Sequence, residues 1–195
     1  MTAKLGILGG TFDPIHVGHL VLAEQARQQQ GLDRVLFMPA SIPPHKTELS
    51  ITDPKHRLEM VRIAIGGHPH FSVSTVELDR PGLSYTIDTL QSLHQANRDT
   101  ELCLIVGADT VADVPHWRQP ADVVRLASFA AAGRPGYSLS IPSSLPQMQL
   151  SLIEMPLLEI SSSDLRRRVQ EGRSIRYLVP AGVEAYIQAK KLYQA

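Results

Sequence analysis

The sequence is poor in most of the features that would assign it quickly to a class. It has one cysteine, Cys103, so no disulfide can close within the chain, and such sparse use fits a reducing compartment. Charge of either sign is not in excess: 19 Lys and Arg balance 19 Asp and Glu. A zero net charge argues against a broad electrostatic grip on nucleic acid or on an anionic membrane. Aromatic residues make up only 5% of the chain, which weakens a nucleic-acid role further. No apolar run approaches the roughly 20 residues of a membrane span. The opening Met1-Thr2-Ala3-Lys4-Leu5-Gly6 has no basic stretch leading into a long apolar one, so no signal peptide is expected. A soluble, cytoplasmic chain that touches neither membrane nor nucleic acid is the expectation.

What remains is ample for a core. The 195 residues are 43% hydrophobic, the size of one domain of about 100–200 residues, which buries about 70% of its unfolded surface. Short apolar runs alternate with segments of helical period. Leu5–Leu8, Val35–Met38, Phe71–Ser74, Leu102–Val106, Phe129–Ala132 and Leu152–Met155 read as strands. Between them lie helices from about Gly18 to Gln30, around Leu58, Val61 and Ile65, and around Ile87, Leu90 and Leu93; two more begin near Ser161 and Pro180. This alternation predicts an α/β fold, a Rossmann-like doubly wound parallel sheet, with a helical C-terminal extension over roughly 160–195. Residues 1–195 read as a single domain. Tyr137–Gln149, rich in Ser and Pro and without period, reads as a surface loop.

In such sheets ligands bind beyond the carboxyl ends of the strands, near the point where strand order reverses. Three segments follow apolar strands and are rich in Gly, Pro, His and Asp: Gly9–His19, Pro39–Lys46 and Gly107–Trp117. The first is neither a Walker A loop nor a G-x-G-x-x-G fingerprint. Its physics is still that of a phosphate site. Gly9 and Gly10 allow close approach of backbone to ligand, and the following helix offers free N–H groups and a positive dipole end. His16 and His19, three apart, share one face of the first helical turn, with Gly18 leaving that face uncrowded. Two imidazoles beside a helix N-terminus can donate to oxyanions. A tight turn, a metal pair or a simple cap are the plainer uses of the same residues, and no third metal ligand is near in sequence.

The run Gly10-Thr11-Phe12-Asp13-Pro14-Ile15-His16-Val17-Gly18-His19 resembles the H-x-G-H signature of the adenylyltransferase branch of the nucleotidyltransferase superfamily. Far along the chain, Ile160-Ser161-Ser162-Ser163-Asp164-Leu165-Arg166 resembles its I-S-S-T-x-I-R motif, with Ser163 in the threonine position. Pro43-Pro44-His45-Lys46, Ser84–Thr89, and Gly107-Ala108-Asp109 with Trp117 beyond it narrow the resemblance to the bacterial nicotinate-nucleotide adenylyltransferases. It covers essentially the whole chain.

That resemblance implies transfer of the adenylyl group of ATP to nicotinate mononucleotide by direct in-line attack of the 5′-phosphate on the α-phosphate. Pyrophosphate would leave and deamido-NAD would form. It implies that Gly9, Thr11, Phe12, His16 and His19 hold ATP, with both histidines on its phosphates and Gly107 and Asp109 at the adenosine ribose. Ser161, Ser162 and Arg166 would close on the triphosphate from the other side. Lys46, and Arg134 with it, would meet the mononucleotide phosphate, while Thr86 receives the pyridine carboxylate and Trp117 stacks on the ring. No protein metal site is implied, since Mg²⁺ arrives on the ATP phosphates. ATP and nicotinate mononucleotide are the expected partners, with monomer and homo-oligomer both open. Ser161-x-x-Asp164 also reads as a helix cap, and Arg57 and Met60 read first as helix structure. Relatives often carry an asparagine where this chain has Ala40-Ser41, a departure that bears on any polar contact to substrate from that position. Nicotinamide mononucleotide or phosphopantetheine adenylyl transfer, or a non-catalytic nucleotide-binding regulator, are the competing readings.

Overall fold

A computed structural model describes residues 2–41, 51–80, 82–96, 98–133 and 140–194. Six parallel strands form one sheet in the order β3-β2-β1-β4-β5-β6. They are β1 (Ala3–Gly10), β2 (Arg34–Pro39), β3 (Phe71–Val73), β4 (Thr100–Gly107), β5 (Ala127–Ala132) and β6 (Leu150–Ile153). Sequence order reverses between β1 and β4, where Leu5 pairs with Leu102 and Ile7 with Leu104. The switch point of the doubly wound fold therefore lies beyond Gly10 and Gly107.

The period of two along each strand divides the core. Leu8, Phe37, Cys103 and Ala130 face a cluster with Ala23, Met60 and Val183. Their neighbours Ile7, Met38, Leu104 and Phe129 face a second cluster with Ile87, Leu90 and Val123. Helices cover both faces, as a sheet apolar on both sides requires. On the first side lie α1 (Val17–Gln30), α2 (Pro54–Ile65) and α7 (Ala181–Ala189). On the second lie α3 (Thr86–Ala96), the short α4 (Ala108–Asp113) and α5 (Pro120–Leu126). α6 (Ser162–Gln170) follows the last strand.

The helix ends follow local chemistry. α1 stops at Gly31, whose φ of 62° is left-handed, with its N–H turned back to the carbonyls of Arg27 and Gln28. α2 starts at Asp53, whose carboxylate accepts the Lys55 N–H at 2.8 Å, with Pro54 in the first turn.

Three expectations change. The last strand is Leu150–Ile153, two residues before the predicted Leu152–Met155: pairing Phe129 with Leu150 and Ala132 with Ile153 buries Ile153 and turns Leu152 outward. Tyr137–Gln149 is not wholly a surface loop, because Leu145 and Met148 are 3% exposed and sit in the second cluster. α4 and α5 were not visible in the sequence, being six and seven residues long and too short to show a helical period.

Candidate active site

A cavity of about 610 Å³ opens where the sheet switches. Its walls come from the β1–α1 loop, the ends of β4 and β5, the segment after β6 and the start of α6.

His16 is the N-cap of α1 and His19 its third helical residue. Their rings stack with centroids 3.7 Å apart, and both line the cavity. Gly18 explains how they fit. A Cβ there would stand 3.1 Å from His16 Nδ1, a tight contact that would press the ring by a few tenths of an ångström. His19 Nδ1 accepts the main-chain N–H of His16 at 3.2 Å; the neutral ring therefore carries its proton on Nε2. Burial pulls His16 down to about 4. His19 is held well below the ordinary imidazole value, by burial first and by the neighbouring His16 second. Two neutral rings can stack at this distance without repulsion, each keeping one N–H to donate. His16 Nδ1 is buried without a hydrogen-bond partner. The first turn of α1 has no acidic residue, so no side chain of that turn offsets its positive end.

α6 forms the facing wall. Ser161 is its N-cap, its hydroxyl accepting the Asp164 N–H at 3.2 Å. Ser162 donates to the carbonyl of Pro14 at 2.9 Å. Arg166 Nη1 donates to the carbonyl of Asp13 at 2.7 Å. These two bonds clasp α6 to the β1–α1 loop. Of the three successive arginines only Arg166 lines the cavity; Arg167 and Arg168 both pair with Asp164.

Thr11, Gly107 and Asp109 also line the cavity. A Cβ on Gly107 would lie 2.7 Å from the Asp109 carboxylate, which therefore rests over the end of β4. Phe12 is only 1% exposed, its ring packed edge-on to His19 at 5.1 Å and against Phe37. Its φ of 50° is an uncommon conformation for a bulky residue, and packing of the ring fixes it. Gly9, next to last in β1 and paired with Met38, is not among the lining residues.

The remaining predicted site residues are placed elsewhere. Thr86 begins α3 and is half-buried. Trp117 is half-buried against the second apolar cluster, its ring 6.4 Å from that of Phe129. Neither lines the cavity. Lys46 and Arg134 lie outside the described residues.

Two contributors escaped sequence reasoning. Arg57, read as helix structure, is 0% exposed and donates to the carbonyls of Thr11, Ala40, Ser41 and Thr52 at 2.8–3.2 Å. It ties the loop after β1 to the loop after β2, with its charge met by Asp13. Asp13, 4% exposed, is the second. Only the three-dimensional meeting of these loops gives either residue its meaning. Among the described residues no three His, Cys, Asp or Glu side chains gather as a metal site, and no helix is long and apolar enough to cross a membrane.

Residues 7–168 match the cytidylyltransferase-like family. The chain is 49% identical over 199 residues to a probable nicotinate-nucleotide adenylyltransferase of Roseiflexus sp. (strain RS-1), covering 99% of both. A protein of the same description from Leifsonia xyli subsp. xyli (strain CTCB07) is 47% identical, with 98% of this chain and 94% of that one covered. The fold is similar to that of Plasmodium falciparum nicotinic acid mononucleotide adenylyltransferase complexed with NaAD, with a TM-score of 0.79 at 21% identity, covering 98% and 97% of the two chains. The same protein complexed with APC gives 0.78 at 20% identity, with the same coverage.

Proposed function

The chain belongs to the nicotinate-nucleotide adenylyltransferases, within the cytidylyltransferase-like family, and from that premise we propose how its residues divide the reaction. The enzyme transfers the adenylyl group of ATP to nicotinate mononucleotide in NAD biosynthesis, releasing pyrophosphate. The observation that carries our assignment is the stacked His16–His19 pair at the start of α1, facing Ser161, Ser162 and Arg166 across one cavity.

Two helix N-termini converge on that cavity, each with a positive dipole end. The triphosphate lies between them, with His16 and His19 donating from one side and Ser161, Ser162 and Arg166 closing from the other. Asp109, over Gly107, accepts the ribose hydroxyls, and Thr11 with Phe12 shapes the near wall. An arriving polyanion favours the protonated form of an imidazole, so nucleotide binding draws protons toward two rings that are neutral without it.

No general base is needed. A phosphomonoester has its second pKa near 6, so the acceptor phosphate reaches the site already charged. The protein's task is to align two anions, screen them from each other and stabilise charge on the departing pyrophosphate. Of the carboxylates lining the cavity, Asp13 is committed to the Thr52 N–H and the Tyr193 hydroxyl, and among the described residues Asp109 joins no group of three His, Cys, Asp or Glu side chains. That donor set does not suit a protein-held cation. We therefore assign Mg²⁺ to the oxygens of ATP itself.

The acceptor sits toward Thr86 and Trp117. The main-chain N–H groups at the start of α3 suit a pyridine carboxylate and leave a carboxamide imperfectly paired, while the Asp88 carboxylate of the same turn is met by Arg118 at 3.6 Å. Trp117 stacks on the ring, and Lys46 with Arg134 meets the phosphate. We take residues 1–195 as one nucleotidyltransferase domain acting in the cytoplasm, its helical portion from about 160 supplying one wall of the site. Every residue assigned to ATP comes from a single chain. The test is pyrophosphate release with ATP and Mg²⁺, nicotinate mononucleotide set against nicotinamide mononucleotide. A strong preference for the acid supports the role of the Thr86 turn; a preference for the amide overturns it.

A further inference from the structure

Asp13 presents a problem for the site just described. It lines the cavity proposed for a triphosphate, yet carries a carboxylate and is 4% exposed. A negative charge free to turn into that cavity would repel the nucleotide. The fold deals with it by occupying both oxygens. Oδ2 accepts the Thr52 N–H at 3.2 Å. Oδ1 accepts the hydroxyl of Tyr193 at 2.7 Å, from 180 residues away in sequence. Arg57 adds an opposing buried charge.

Tyr193 lies in the segment following α7, and that segment is held in an unusual shape. Lys191 and Tyr193 have φ of 52° and 61°, a left-handed backbone that persists only where surrounding contacts impose it. The hydroxyl also approaches Met60 Sδ at 4.0 Å. Burial and the adjacent Asp13 raise the phenol above its ordinary value, so it stays a donor.

We propose that Tyr193 is a positioning residue for ATP binding: its hydroxyl holds the Asp13 carboxylate away from the triphosphate and so fixes the loop from Thr11 to His16. The inference rests on the assignment of this cavity to ATP. Tyr193→Phe keeps the ring and loses only the donor, leaving one Asp13 oxygen unmatched and free to turn. ATP affinity should suffer and the acceptor should not notice.

The experiment titrates ATP·Mg²⁺ into the full chain by calorimetry and follows KM for both substrates. For Tyr193→Phe we expect Kd and KM for ATP to rise about tenfold, with KM for nicotinate mononucleotide within twofold of wild type. Adding Asp13→Asn to that variant should recover most of the loss, because the offending charge is gone; a purely structural role predicts no recovery. Tyr186→Phe removes a bond of similar length from the same end of the chain, the hydroxyl paired with His56 Nδ1 at 2.8 Å, and should leave both constants unchanged. A folded Tyr193→Phe that binds ATP as wild type does overturns the inference. Should that variant not fold, hydrogen exchange on the wild-type chain decides, since coupling is reciprocal. Saturating ATP must slow exchange in residues 190–194, and unchanged exchange there overturns the proposal. A wild-type chain that binds no ATP overturns the reading of the cavity and this inference together, whereas wild-type binding with an indifferent Tyr193→Phe overturns this inference alone.

Discussion

At the β1–α1 loop most polar groups are engaged before any substrate arrives. Asp13 is held on both oxygens, its carbonyl and that of Pro14 receive Arg166 and Ser162, and Arg57 is spent on four main-chain carbonyls. The Thr86–Trp117 region is built otherwise. Arg118 reaches over the Tyr85 ring at 4.9 Å and toward Asp88 at 3.6 Å, itself largely exposed. Beneath lies one tight polar contact, Thr89 donating to the buried Glu77 at 2.8 Å, and Ser84 Oγ accepts the Ser41 N–H at 3.0 Å. The first region is preorganised, as stabilising charge on a transferring phosphoryl group demands. On the assignment proposed above, the first region meets the phosphates and the second a flat ring, where stacking tolerates small displacements.

The largest test of that contrast is Arg57→Ala. It leaves buried carbonyls on two loops unpartnered and Asp13 without its opposing charge, so stability should fall by about 3–5 kcal/mol. Urea unfolding measures this, and a loss below about 1 kcal/mol would mean the loops are held by something else. His19→Ala should lower kcat by about 10²–10³ in a folded protein, the effect of losing one donor to developing negative charge. Near-normal turnover would remove the histidine pair from the chemistry.

The third test concerns acid. An unfolded His16 takes up its proton near 6.5, the folded one only near 4. The native state's advantage from this buried neutral ring is therefore intact above pH 6.5. It is lost as pH falls toward 4, by about 3 kcal/mol in all. Urea midpoints at pH 7 and pH 4.5 should converge in His16→Gln relative to wild type, and an unchanged pH dependence would show that the ring is not kept neutral by burial. The smallest effect is expected at the proposed acceptor side. Trp117→Ala should raise KM for nicotinate mononucleotide about tenfold, within the roughly 1–3 kcal/mol of aromatic stacking on a base, and leave KM for ATP alone. A matching rise for ATP would erase the division between the two regions.

Much of this division was readable in the chain, though unevenly. Strands such as Val35–Met38 and Leu102–Val106 announce themselves as apolar runs because both sheet faces are covered. His16, Gly18 and His19 are close in sequence, and their spacing alone brings the rings together. Ser162 and Arg166 share a helix face for the same reason. Arg57 and Tyr193 could not be read this way. A buried arginine looks like any helical arginine until the loops it feeds are folded over it, and a tyrosine near residue 195 gives no sign that it meets Asp13. The edge strand slipped by two residues because Leu152 and Met155 are as apolar as Ile153, and only pairing with β5 selects the register.

The clasp between α6 and the first loop also sets a timetable. Its donors, Ser162 and Arg166, stand 148 and 153 positions after the carbonyls they reach. Synthesis proceeds at roughly 5–20 residues per second, N-terminal parts first. A ribosome that has made residues 1–160 has already released the code for all six strands, but neither donor. The nascent sheet must therefore wait, with its first loop unclasped, until α6 has been made and supplies the facing wall.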